Sequence, residues 1–149
     1  MEDPHPSQDA AEAAVKAMWR DDRCAAALGM RVLEVSPGAG RVEMRVREDM
    51  LNGHGTTHGG MIFTLADAAF AIASNSRGRR ALAAGCSIEF LRPAVAGDLL
   101  VASASEQSLG ARSGIYDVRV ENQHGETVAL FRGKAALLRG SWTDDTPPV

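Results

Sequence analysis

The sequence predicts a single α+β domain in which a curved antiparallel sheet wraps around one long central helix. Residues 59–76 (GGMIFTLADAAFAIASNS) have helical length, many alanines and an apolar character nearly all round, which marks a helix buried on most sides. Two strand-like segments precede it and four follow it. The order helix, two strands, buried helix, four strands fits that architecture, and 149 residues suit one domain.

Residues 1–7, with two prolines and charged neighbours, have little to bury and are expected to be disordered. Residues 8–23 read as a helix: Ser7 suits the N-cap, and Val15, Met18 and Trp19 share one apolar face. Gly29 and Met30 end this unit. Residues 30–36 (MRVLEVS) alternate as a strand, Pro37 to Gly40 make a turn, and residues 41–47 (RVEMRVR) alternate again, giving a hairpin with one wet face. A loop, residues 48–58, leads into the central helix, and Arg77-Gly78-Arg79-Arg80 breaks it. Strands are expected over residues 82–92, 98–107, 112–121 and 126–139, separated by Pro93, Gly97-Asp98 and Asn122 to Gly125. The domain therefore spans residues 8–140, and 141–149 read as a flexible polar tail. One helix inside a curved sheet leaves the other sheet face and the edges in need of cover, so at least a dimer is expected.

Hydrophobic residues make up 45% of the chain, as in a folded globular protein. A net charge of -3 excludes a general nucleic-acid footprint. Two cysteines, Cys24 and Cys86, are too few for a disulfide framework and read as reduced thiols. The N-terminus lacks the basic start and apolar stretch of a signal peptide, and the apolar run at residues 61–73 is too short to span a bilayer. A cytoplasmic protein without a membrane partner is expected.

The chemistry centres on the helix and the loop before it. Asp67 is the only charge between Gly59 and Ser76, and a carboxylate on a buried apolar helix is costly unless it is paired or hydrogen-bonded. In the competing reading Asp67 faces a water-filled rim or caps a neighbouring loop. Gly59 and Gly60 open the helix, where backbone N–H groups have no intrahelical partner and a ligand can approach closely. A carbonyl placed there would be polarised as acyl transfer requires. Asp67 lies eight residues after Gly59, about 12 Å along the axis, too far for both to reach one carbon. If both act, the second comes from an antiparallel helix of another subunit. Asn52 is suited either to orient a water or to hold an Asn-Gly turn. His54 and His58, with no nearby acidic or cysteine cluster, make a poor metal site, so no metal is expected. No G-x-S-x-G serine nucleophile occurs. Arg77, Arg79, Arg80 and Arg92 are either solvated surface charges or phosphate contacts.

The stretch Leu51 to Ser76 closely resembles the PaaI group of hotdog-fold thioesterases of phenylacetate catabolism. The resemblance rests on Asn52-Gly53-His54-Gly55-Thr56, His58-Gly59-Gly60, Leu65-Ala66-Asp67 and Asn75-Ser76-x-Gly78, and the strand order extends it to roughly residues 20–140. It implies a hotdog fold, a dimer of dimers, and hydrolysis of phenylacetyl-CoA and ring-hydroxylated relatives without a cofactor or metal. It implies that Asp67 activates water or attacks the carbonyl, that the Gly59 N–H holds that carbonyl, that Asn52 positions water and substrate, and that His58 shapes the thioester site. Gly60, Phe63 and Phe70 become substrate-binding candidates, with plain core packing the alternative for the two rings. Asn75 and Arg92 become candidates for binding coenzyme A. A hotdog hydratase is disfavoured, because neither the proline-rich His motif nor the Asp-x-Asn-x-x-His pattern is present. A regulatory acyl-CoA-binding module is disfavoured by the retained Asp67 and by the lack of a DNA-binding segment.

Overall fold

A computed structural model describes residues 5–143. Helix α1 (Gln8–Arg20) and the short α2 (Arg23–Ala27) lead into strands β1 (Arg31–Ser36) and β2 (Ala39–Arg45). The long helix α3 (Gly59–Asn75) follows, then β3 (Arg79–Phe90), β4 (Leu99–Leu109), β5 (Ser113–Glu121) and β6 (Thr127–Ser141). The strands form one six-stranded sheet in the order β1-β2-β4-β5-β6-β3, with every neighbouring pair antiparallel. This is the hotdog architecture, with α3 as its filling.

The sheet's inward residues explain the wrap. Val42 and Met44 of β2, Leu100 and Ala102 of β4, Tyr116 and Val118 of β5 and Phe131 of β6 are all buried with Ile62, Leu65, Ala66, Ala69, Phe70 and Ile72 of α3. Two strand glycines let the helix come this close. A Cβ on Gly40 would collide with Ile72 Cγ2, and one on Gly133 would lie 2.9 Å from the Phe70 ring, so a side chain at either would have to displace these helix side chains.

The boundaries differ from the sequence expectation where a local group decides them. The first helix divides, because the Asp22 carboxylate accepts from Ala25 N–H (2.9 Å) and caps a second helix. The first hairpin turn is only Pro37-Gly38, with Ala39 and Gly40 already paired to Ser36 and Val35. Arg79 and Arg80 begin β3 instead of ending the helix unit. Arg79 Nε donates to the Leu138 carbonyl (2.8 Å), and the Arg80 guanidinium lies 4.0 Å above the Trp142 ring. Strand β6 runs one residue past the expected domain end, and Trp142 is pinned beyond it by a bond from its N–H to the Gly78 carbonyl (2.9 Å). Of the expected terminal segments, residues 1–4 and 144–149 lie outside the described residues. Among the described residues, no helix is long and apolar enough to cross a membrane.

Among the described residues, strand β3 has β6 on one side and no strand on the other. Most of its length is exposed. An edge of this length, uncharged from Ala81 to Ile88, invites pairing with another chain.

Candidate active site

The loop before α3 is organised by Asn52. Its Oδ1 accepts from the N–H groups of His54 (2.9 Å) and Thr56 (3.3 Å), and its Nδ2 donates to Thr56 Oγ1 (3.1 Å). This is the turn-holding reading of Asn52, with one Nδ2 hydrogen left unused. Thr57, next along, is tied by both its N–H (2.8 Å) and its hydroxyl (2.9 Å) to the Ala94 carbonyl. The loop is thereby fastened to the segment after β3, and the helix start is held in place.

His58 occupies the N-cap of α3 but makes no side-chain capping bond, and it is exposed. Its carbonyl accepts from Met61 and Ile62. The N–H groups of Gly59 and Gly60 have no acceptor among the described residues. Gly59 lines a cleft of about 360 Å³ together with Thr56, Thr57, Ile62, Phe90, Leu91, Arg92 and Pro93. Two free amides at the positive end of a 17-residue helix, the first of them at a mainly apolar cleft, suit a carbonyl oxygen that gains negative charge.

Asp67 sits two turns on, half-buried, with no hydrogen bond or ion pair among the described residues. Burial pushes its carboxyl above the ordinary carboxylate range, and the nearby Asp22 carboxylate adds to the rise. The neighbour on β3 is Cys86, whose thiol is raised first by burial and then by the Asp67 charge. A carboxylate made more basic and left without a partner can accept a proton from water or attack an electrophile. Among the described residues, no group of three or more His, Cys, Asp or Glu is placed to hold a metal ion.

Residues 54–129 match the family model for the thioesterase superfamily. The chain belongs to the thioesterase superfamily. Acyl-coenzyme A thioesterase PaaI of Escherichia coli is 47% identical over 129 residues, covering 87% of this chain and 92% of that protein. The solved structure of the E. coli PaaI protein from the phenylacetic acid degradation operon superposes with a TM-score of 0.89 at 46% identity, covering 90% of this chain and 97% of the other. The smu.793 protein of Streptococcus mutans, solved bound to acetyl CoA, superposes with a TM-score of 0.72 at 29% identity over 75% of this chain and 90% of its own.

Within this thioesterase the structure sorts the sequence candidates. Gly59, Gly60, His58 and Asn52 meet at the helix start, and Arg92 lines the same cleft, where its guanidinium pairs with Glu126 (2.8 Å). Asp67 stands apart from them on the same helix. Phe63 is half-buried and edge-on to Phe131, with centroids 5.4 Å apart.

Two candidates are corrected. Phe70 is a core residue, 1% exposed and packed between Tyr116 and Phe131, so it lines no binding surface of the chain. Asn75 is 2% exposed at the opposite end of α3, and its amide is consumed by the fold. Its Nδ2 donates to the carbonyls of Ala71 (2.8 Å) and Ala81 (3.2 Å), and its Oδ1 accepts from Ala81 N–H (2.9 Å) and Trp142 Nε1–H (2.7 Å). It has no capacity left for a coenzyme A phosphate. The cleft residues the sequence left unmarked are Thr56, Thr57, Ile62, Phe90, Leu91 and Pro93. The available signal was Phe90-Leu91, two large apolar residues at a strand end just before Pro93.

Proposed function

We propose that this enzyme hydrolyses acyl-CoA thioesters, and that phenylacetyl-CoA and ring-hydroxylated relatives are its substrate class. The observation that carries the reading is the coexistence on one helix of a free Gly59 amide at a cleft and a half-buried Asp67 without a partner among the described residues. The PaaI relative, named as an acyl-coenzyme A thioesterase, supports the thioester, and the operon of its solved counterpart supports the aryl acid.

In this reading the thioester carbonyl rests against the Gly59 N–H. Asp67 takes a proton from water as the water oxygen adds to the carbonyl carbon, or its carboxylate adds in place of water, giving a mixed anhydride once the C–S bond breaks, which water then hydrolyses. The oxyanion formed is held by the helix amides. The C–S bond then breaks, and the thiolate of coenzyme A leaves and takes up a proton. Water is the co-substrate, so neither metal nor cofactor is needed. His58 and Asn52 shape the loop that carries Gly59, with the spare Asn52 N–H directed at water or substrate. Arg92 meets a phosphate of coenzyme A.

The eight-residue separation of Gly59 and Asp67, about 12 Å, demands that each site combine Gly59 of one subunit with the Asp67 of another. The open edge of β3 beside both residues supports a dimer joined there, with two dimers making the tetramer. The enzyme would work in the cytoplasm, on dissolved acyl-CoA.

Thiol release from phenylacetyl-CoA by the wild type and by Asp67→Asn tests the reading, with medium-chain and benzoyl thioesters alongside. Turnover that collapses in the variant, with fold and assembly intact, supports it. A wild type that binds every CoA ester and cleaves none is instead a binding module. Composite sites have their own check: inactive Asp67→Asn and inactive Gly59→Pro chains, unfolded together and refolded as a mixture, should regain activity through hybrid dimers. A mixture as silent as its parents rejects the shared site.

A further inference from the structure

We infer that Phe90 is a positioning residue of the thioester subsite, its ring holding the acyl-CoA carbonyl against the Gly59 N–H. This rests on the thioesterase reading above and assigns a part to a residue the chemistry has not yet used.

The ring is aimed at the glycine. A Cβ on Gly59 would lie 3.1 Å from Phe90 Cζ and 3.5 Å from both Cε atoms, so the tip of the ring rests on the Gly59 backbone. Its anchoring is firm: Phe90 pairs with Ala129 at the last rung of β3, and the Leu91 N–H is bonded to the Val128 carbonyl (2.9 Å). Yet the side chain is 51% exposed, against 1% for Phe70. Ile62, Leu91 and Pro93 complete an apolar wall around it, and Arg92 is the one charged residue lining the cleft. A hydrogen-bond donor bordered by such a wall acts more strongly on a developing charge than one in open water. A flat ring beside the donor restricts where a carbonyl can sit, and small misplacements of reacting groups are expensive in rate. Glycine at 59 and phenylalanine at 90 are thus a matched pair: the missing Cβ is the space the ring tip uses.

The test measures kcat, KM and oligomeric state for wild type, Phe90→Leu, Gly59→Ala, Phe90→Ala and Gly59→Ala/Phe90→Ala on one acyl-CoA that the wild type cleaves. Phe90→Leu should lower kcat about tenfold or more while KM moves less than about threefold, the signature of a contact used in the transition state. The double variant should lose at least about tenfold less than the product of the two alanine losses, because the added Cβ meets the ring itself. Unchanged kinetics in Phe90→Leu, losses that simply multiply, or a Phe90→Leu protein whose assembly fails together with its activity would each overturn the inference. A wild type inactive on all acyl-CoAs sinks the thioesterase proposal and this one together. An active wild type with an indifferent Phe90→Leu sinks this one alone.

Discussion

The two ends of α3 are built to opposite specifications. At the N-terminal end, the Gly59 and Gly60 amides have no acceptor among the described residues, and Gly59 lines a cleft. At the C-terminal end nearly every polar group is consumed. Asn75 binds Ala71, Ala81 and Trp142, and Ser76 Oγ donates to Ala73 (2.7 Å) and accepts from Gly38 N–H (2.8 Å). Just beyond, Arg77 grips Glu106 (2.9 and 3.1 Å), whose carboxylate also accepts from the buried Tyr116 hydroxyl (3.0 Å); burial first, and then the Glu106 charge, push that phenol above its ordinary range. One end anchors the helix so that the other can stay unsatisfied. Unsatisfied groups are costly, and a protein keeps them where a ligand completes them.

The sharpest way to break this contrast is Asp67→Asn. Activity should fall by about 10²–10⁴. Because the Asp67 pKa is raised in the fold, the folded state holds its proton more tightly than the unfolded chain does. Wild-type stability therefore declines as pH climbs from the ordinary carboxylate range through the raised pKa. The asparagine variant lacks that penalty, so its melting temperature at neutral pH should exceed the wild type's. Wild-type kcat should fall as pH drops through the raised pKa, a limb that a pH–rate profile locates.

Gly59→Pro comes next. Proline suits the first helical position, and His58 already holds the extended backbone (φ -57°, ψ 131°) that a following proline prefers. The substitution removes the N–H itself, and kcat should drop by about 10²–10³ with the circular dichroism spectrum retained. At the closed end, Asn75→Ala should cost about 3 kcal/mol of stability by orphaning Ala81 and Trp142, read as a lowered urea midpoint at constant slope. Its activity per folded molecule should be normal. A large kcat loss there would mean the two ends are coupled. The smallest effect is expected from Arg92→Ala. Its pair with Glu126 is largely exposed, so KM should rise about three- to tenfold with kcat unchanged, and the difference should shrink in high salt.

How much of this was legible in the chain depends on how local the physics is. The helix, its single charge and its glycine start were readable because 3.6-residue periodicity, apolar length and the N-terminal amides are properties of consecutive residues. Asn75 was misread because its partners lie on β3 and at Trp142, 67 positions away in sequence. An amide at a helix end looks the same whether it faces a ligand or a second strand. Phe90 escaped for a different reason. Strand β3 carries a bulge between Ala83 and Gly85, and one extra residue exchanges the faces of everything after it. Alternation counted from Ala81 would therefore point Phe90 away from the helix it touches.

The sequence by itself determined the α+β class, the buried helix, the thioesterase family and the pairing of Asp67 with Gly59 as the chemistry to look for. Each follows from patterns within a few tens of residues. Only the tertiary structure decided which polar groups are spent and which remain available. Hydrogen-bond satisfaction is set by whatever strand or side chain arrives from elsewhere in the chain. It closed the Asn75 end of α3, opened the Gly59 end into a cleft and laid the Phe90 ring across it.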